Sequence, residues 1–253
     1  MAQRSETIDA VVVHSRESSS GGRLIWLLTP AQGLLQTFLF GGGKSKLRSL
    51  ASPWHAGRAV LYRDRSDFIK LSDFDPLEEF SHIRASLEAM AVASLVSEVL
   101  LATSGLGGDH QAAFSLCLHS LRGLDRAAGA MSRSLTVEAV LLQFSLRVLQ
   151  QMGLLSDPSA CERCSGASGA NALHYYSRRH GVFVCARCAE GEAIALPAGA
   201  IAWLQRSLEH DFDGALGLGL ARESAQAMRA CLVDWLAKAT GGPLQSLRLL
   251  VPA

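Results

Sequence analysis

Four cysteines in the second half of the chain carry its most specific chemistry. Cys161-Glu-Arg-Cys164 and Cys185-Ala-Arg-Cys188 form two C-x-x-C pairs with twenty residues between them. Two intervening residues let both sulfurs of a pair turn toward one ion at about 2.3 Å, and two pairs complete a tetrahedron. Four thiolates leave no position open for water, so the pattern predicts one structural Zn2+ ion and no catalytic metal. Two redox motifs would call for a βαβ context, which this stretch lacks. His174 and His180 lie between the pairs; either could replace one cysteine as a ligand, but both read better as surface residues of a hairpin. The other two cysteines, Cys117 and Cys231, fall inside helical patterns and read as small buried hydrophobes.

A second cluster is cationic. Gly41-Gly42-Gly43-Lys44-Ser45-Lys46-Leu47-Arg48 places three glycines and three cations in eight residues. Glycine lets backbone N–H groups approach a phosphate, and the cations neutralise it. No G-x-x-x-x-G-K-[ST] frame passes through it, so nucleotide hydrolysis has little support. Residues 1–70 hold ten Lys/Arg and five Asp/Glu, against a net charge of +1 for all 253 residues. A basic first segment on a neutral body points to a polyanionic partner.

The elements that must position these residues follow from the hydrophobic period. Residues 8–14, 23–29, 34–40, 58–63 and 67–74 read as five short strands. They are punctuated by turn residues at 18–22, 29–33, 41–43 and 64–66. The segment 44–53 suits a loop or one helical turn. Five strands with an insertion after the third match a small Greek-key barrel of the OB type, and an SH3-like barrel has similar strand content. Arg16 would close strand one and Arg23 open strand two, while Arg58, Arg63 and Arg65 would come from the last strands and their turn. With Lys44, Lys46 and Arg48, these cations would line a groove along a nucleic-acid backbone. Trp26, Phe38, Phe40, Trp54 or Tyr62 could offer stacking surfaces.

From Pro76 onward the period becomes helical. Helices are expected over 77–104, 109–128, 134–152, from Pro197, and over 223–239, with Asp109 as an N-cap and Gly105, Gly129 and Gly153 as stops. Between them, 156–195 loses apolar periodicity and holds the four cysteines. Its expected hairpin runs from 173–176 to 182–184, with Arg178 and Arg179 at the tip extending the DNA-binding footprint. The organisation is thus an α+β, multi-domain chain. It comprises a five-stranded OB-type barrel (1–79), an α-helical bundle (80–155 and 196–253) and an inserted four-cysteine zinc module (156–195). No stretch reaches the 18–20 apolar residues needed to span a bilayer, and no signal peptide opens the chain, so a cytoplasmic location is expected.

The chain resembles the RecO family of bacterial recombination mediators. The likeness rests on His14-Ser15-Arg16, Ser18-Ser19-Ser20, Leu27-Leu28-Thr29-Pro30 with Gly33, and the basic stretch ending Lys44-Ser45-Lys46-Leu47-Arg48. It continues through residues 144–155, ending Met152-Gly153-Leu154-Leu155, and the C-x-x-C pair that follows. The resemblance implies an OB domain, a helical bundle and, in one branch, a zinc module. It also implies binding of single- and double-stranded DNA and annealing of complementary strands. The implied partners are RecR and the acidic C-terminal tail of single-stranded DNA-binding protein, with RecA placed on covered strands and the protein associated with the nucleoid. One departure is that the loop after strand three is often richer in arginine in the family.

Such a mediator makes and breaks no bond and is not an enzyme. A nuclease would need clustered carboxylates holding metal. The one dense cluster, Asp73, Asp75, Glu78 and Glu79, has Pro76 within it and reads as a linker or an acidic helix start. A zinc-stabilised protein–protein adaptor without direct DNA binding is the alternative, and the basic balance of residues 1–70 argues against it.

Overall fold

The computed structural model describes residues 5–19, 21–41, 45–129, 135–166 and 174–250. The chain divides into two compact units, Met1–Gly129 with Gln245–Ala253, and Ala130–Leu244. The architecture is mixed α+β, with a five-stranded sheet at the front and helices after it.

In the first unit, β1 (Ser5–Glu17), β2 (Arg23–Thr29), β3 (Gly33–Leu39), β4 (Ala56–Arg63) and β5 (Ile69–Glu78) close in the order β1-β2-β3-β5-β4. All neighbours are antiparallel except β3 and β5, which run parallel and meet at Phe38 and Lys70. The two-residue alternation turns Ala10, Val12, Ile25, Leu27, Leu39 and Leu61 inward, and a register shift in β5 between Leu71 and Asp73 lets both Leu71 and Phe74 join them. Burial of each large apolar side chain there stabilises the fold by about 1.5–3 kcal/mol. The single turn expected between strands three and four is α1 (Lys46–Leu50), whose Leu47 and Leu50 pack on this core. Two glycines permit close approaches. A Cβ on Gly57 would lie 2.0 Å from the Asp75 carbonyl oxygen, and one on Gly22 would lie 2.2 Å from the Phe38 ring.

The single helix expected over 77–104 is not formed. β5 runs through Pro76 to Glu78, and the helical stretch divides into α2 (Ser81–Ala85) and α3 (Leu87–Ala102). The division is at Ser86, whose extended backbone lets its hydroxyl accept from Ala89 N at 3.2 Å. Pro76 is tolerated because it faces Gly57 at a register shift, where no ladder donor is required. Asp73, Asp75 and Glu78 are therefore strand residues and not a linker, and Glu78 forms a paired hydrogen bond with Arg122 of α4 (His110–Gly129) at 2.7 and 2.9 Å. Asp109 does cap α4, accepting from Ala112 N at 2.9 Å. A 3₁₀ helix, Gln245–Leu250, returns to α3, where the Glu98 carboxylate accepts from Gln245 N and Ser246 N at 2.7 and 2.9 Å.

The second unit holds α5 (Val137–Gln151), the strands β6 (His174–Ser177), β7 (Val182–Cys185) and β8 (Ile194–Leu196), and the helices α6 (Ala198–Glu209), α7 (Phe212–Ala215) and α8 (Arg222–Ala239). Thr136 caps α5 through Ala139 N. The strands form a sheet in the order β7-β6-β8. Tyr176 and Phe183 of the hairpin join one core with Leu142, Leu146, Trp203, Leu204, Leu232 and Trp235 of the helices. Tyr176 adds a hydrogen bond from its hydroxyl to Asp234 Oδ2 at 3.0 Å. Pro197 precedes α6 as its N-cap, one residue earlier than expected.

Candidate metal centre and nucleic-acid interface

The hairpin β6–β7 brings the two C-x-x-C pairs together. The Sγ atoms of Cys161, Cys164, Cys185 and Cys188 all lie within 4.8 Å of one another. Cys164 and Cys185 are 3.9 Å apart, well beyond a disulfide, and all four are free thiols. A tetrahedral ion with metal–sulfur bonds of about 2.3 Å sets its sulfurs about 3.8 Å apart, so the spacing suits such an ion. The local backbone is arranged for thiolates. Burial opposes ionisation of Cys161, but N–H groups of Cys185, Cys164 and Arg163 outweigh it and bring that thiol down to about 6. The N–H of Cys188 lowers Cys185 in the same way. Burial and its neighbouring thiols push Cys188 up to about 12. This set could hold a metal ion. Cys117 and Cys231 are fully buried apart from it, and burial pushes Cys117 up to about 12, as befits inert core residues.

His174 departs from expectation. It faces Cys185 across the ladder and is buried, with Nδ1 lacking a partner, while His180 is exposed at the tip as expected. The signal available in the sequence was the strand alternation, which puts His174 on the same face as Tyr176.

The cationic residues divide by partner. Arg23 and Arg48 both grip Glu17, at 2.7 and 3.0 Å. This clip ties α1 to the β1–β2 end and neutralises one of the two charges. Arg16 stays exposed at 5.9 Å over the Trp26 ring, which His14 flanks at 5.1 Å. Lys46 is exposed on α1, and Lys44 lies outside the described residues. Arg58 is exposed, but the register places it between Asp9 and Asp75 on the β1–β4–β5 side. Arg63 donates to Gln32 at 3.3 Å and pairs with Asp67 at 3.6 Å. Arg65 is exposed in the β4–β5 turn. Arg178 and Arg179 are exposed at the hairpin tip, lining a recess of about 440 Å³ with Glu190 and Glu192.

The outer face of β1–β2–β3 thus carries two registered rows, His14–Trp26–Gln36 and Arg16–Leu24–Phe38, the second continuing to Lys70. Of the expected stacking residues, Trp26 and Phe38 lie on this face and Phe40 beside it. Trp54 is elsewhere, its indole N–H donating to Ser97 at 3.1 Å under Arg84. Phe68, expected inside the fifth strand and not among the stacking residues, lies instead in the turn before β5 and stands 42% exposed beside them.

A family model described as recombination protein O C terminal matches residues 84–248. Among curated proteins, the chain is 29% identical over 182 residues to the DNA repair protein RecO of Pelotomaculum thermopropionicum, covering 71% of this chain and 67% of that one. It is 29% identical over 205 residues to the protein of that name from Myxococcus xanthus, covering 78% and 79%. With the one from Symbiobacterium thermophilum it shares 27% over 248 residues, covering 96% and 95%.

Proposed function

The chain belongs to the RecO family, and from that premise we propose that it is a non-enzymatic mediator of DNA repair and recombination. In this reading it binds single- and double-stranded DNA and anneals complementary strands. With RecR, it helps load RecA onto strands covered by single-stranded DNA-binding protein, whose C-terminal tail is a further partner. The family match carries the reading, and the barrel gives it a physical mechanism. The proposed OB reading is supported by a helix between the third and fourth of five strands that close in the order β1-β2-β3-β5-β4; in an OB domain the β2–β3 face and adjacent turns receive oligonucleotides. Arg16, Lys46, Arg65 and Lys70 would screen two strands that otherwise repel, releasing their counterions so that complementary bases meet. Arg178 and Arg179 would extend the contact from the hairpin. Functional modules at 1–79, 80–155 with 196–253, and 156–195 belong to the same proposal, as does work at the nucleoid in the cytoplasm. Among the described residues, no helix is long and apolar enough to cross a membrane.

The ion for the four cysteines is proposed to be zinc. It would supply no reaction step, since four thiolates close its shell. Cys161, Cys164, Cys185 and Cys188 hold β6–β7 to the preceding loop and so keep Tyr176 and Phe183 in the helical core.

The test is annealing of complementary strands coated with single-stranded DNA-binding protein, together with DNA affinity across a salt series. Log affinity is expected to fall linearly with log salt, and Arg16→Glu with Lys46→Glu to lower affinity at least tenfold. Affinity indifferent to salt and to these changes would favour the adaptor.

A further inference from the structure

Three phenylalanines gather where the β1–β2 turn, the end of β3 and the β4–β5 turn converge. Phe38 and Phe40 touch edge-on with ring centroids 4.5 Å apart, and Phe68 stands 5.9 Å from Phe38 and 6.2 Å from Phe40. Phe38 is buried beneath the other two, whereas Phe40 is 54% and Phe68 42% exposed. The fold holds the cluster in place from three sides. Gly22 leaves room for the Phe38 ring, which any side chain there would displace. The Asp64 carboxylate accepts from Ser66 N at 2.7 Å and from Phe68 N at 3.1 Å, fixing the turn that presents Phe68. The β3–β5 pairing at Phe38 and Lys70 joins the two halves. Lys70 Nζ lies 5.3 Å from the Phe40 ring centroid, and Arg65 is exposed in the same turn as Phe68.

Resting on the DNA-binding reading above, we infer that the exposed Phe40–Phe68 pair is a stacking platform for unpaired bases, which makes single-stranded DNA the preferred form at this barrel. The rings already meet edge-on, so a base lies on an outer ring face and not between them. Lys70 swings from the ring on its flexible stem to the adjoining phosphate, and Arg65 meets the next one. The occupant is nucleic acid because Lys70 borders the Phe40 ring, Arg65 is exposed in the turn that carries Phe68, and the same outer face carries Arg16 over Trp26. In a duplex the base faces are already covered by their neighbours, so the rings contribute nothing there. Stacking on an aromatic side chain is insensitive to base identity, which suits a protein that must act on any sequence.

The test uses the full chain, a labelled oligothymidylate and a labelled duplex. Phe40→Ala with Phe68→Ala is expected to weaken oligothymidylate binding at least about tenfold and duplex binding less than about twofold, with the salt slope unchanged, since no ionic contact is removed. Phe68→Trp is expected to restore tight binding and to add fluorescence quenching, beyond that of wild type, with oligothymidylate only. Unchanged thermal melting confirms folding, as both rings are exposed. If wild type binds neither DNA, the parent reading fails. If wild type binds and the double variant binds oligothymidylate equally well, or loses both DNA forms in proportion, the platform is wrong and the electrostatic reading stands. Loss of RecR binding with oligothymidylate affinity intact would assign the rings to a protein partner and overturn the inference.

Discussion

At the scale of single residues, Glu17 governs how much positive charge the barrel offers. Hydrogen bonding from Arg23 first, opposed by partial burial and helped by the charges of Arg23 and Arg48, holds its carboxyl below the usual value of 4.5. A carboxyl lowered by folding contributes stability that is complete above that usual value and is lost as pH falls through the lower folded one. The clip is therefore whole at neutral pH and opens only in acid. Glu17→Gln is expected to free a guanidinium at pH 7, strengthen DNA binding at low salt and steepen the log–log salt slope by about one contact. An unchanged slope would show that Arg23 and Arg48 stay turned from the phosphates. The contrast with the cysteines is instructive. C-x-x-C is a local pattern, and its spacing was enough to predict that Cys161, Cys164, Cys185 and Cys188 meet, which the β6–β7 hairpin accomplishes. Glu17 and Arg48 are 31 residues apart, and nothing short of the folded barrel joins them.

At the scale of elements, turn chemistry made the strands legible. β2 begins and ends at the expected residues, and the others differ by a few at their ends. The failures are at places where pairing overrides local propensity. Pro76 breaks the period but occupies β5 opposite Gly57, and the long apolar run after it hides the break at Ser86. β8 is too short to show a period and exists because β6 offers an edge. Gly57 shows how tight the β4–β5 pairing is. Gly57→Ala would force a methyl group to within 2.0 Å of the Asp75 carbonyl oxygen, and backbone cannot rotate away as a side chain can. A loss of about 2–3 kcal/mol is expected, read as a lower urea midpoint for the first unit. Gly22→Ala pushes against the Phe38 ring at 2.2 Å and, less severely than at Gly57, against backbone, the Leu39 carbonyl oxygen at 2.9 Å. Its expected cost is about 1–3 kcal/mol, with a clear loss of single-strand affinity, because Phe38 supports the exposed pair.

At the scale of the whole molecule, the near-zero net charge conceals a division of labour. The positive excess belongs to the barrel segment, while the four cysteines belong to a unit whose core is built by helices. Sequence composition separated the cysteine segment from its surroundings, because its apolar period vanishes there. It did not reveal that Tyr176 and Phe183 complete the helical core, since such packing depends on residues up to about 60 positions away, such as Trp235. The consequence is thermodynamic. Chelation, or Cys161→Ser with Cys164→Ser, should release the hairpin and with it two large aromatic side chains. The cost is on the order of 3–5 kcal/mol, or a fall of roughly 12–20 °C in melting temperature. The loss should be confined to the second unit, so that calorimetry resolves one transition that moves with chelator and one that does not. The barrel should keep its DNA affinity below the lower transition. If both transitions fell together and DNA binding went with them, the ion would be supporting the barrel as well, and the assignment of separate work to the two units would have to be abandoned.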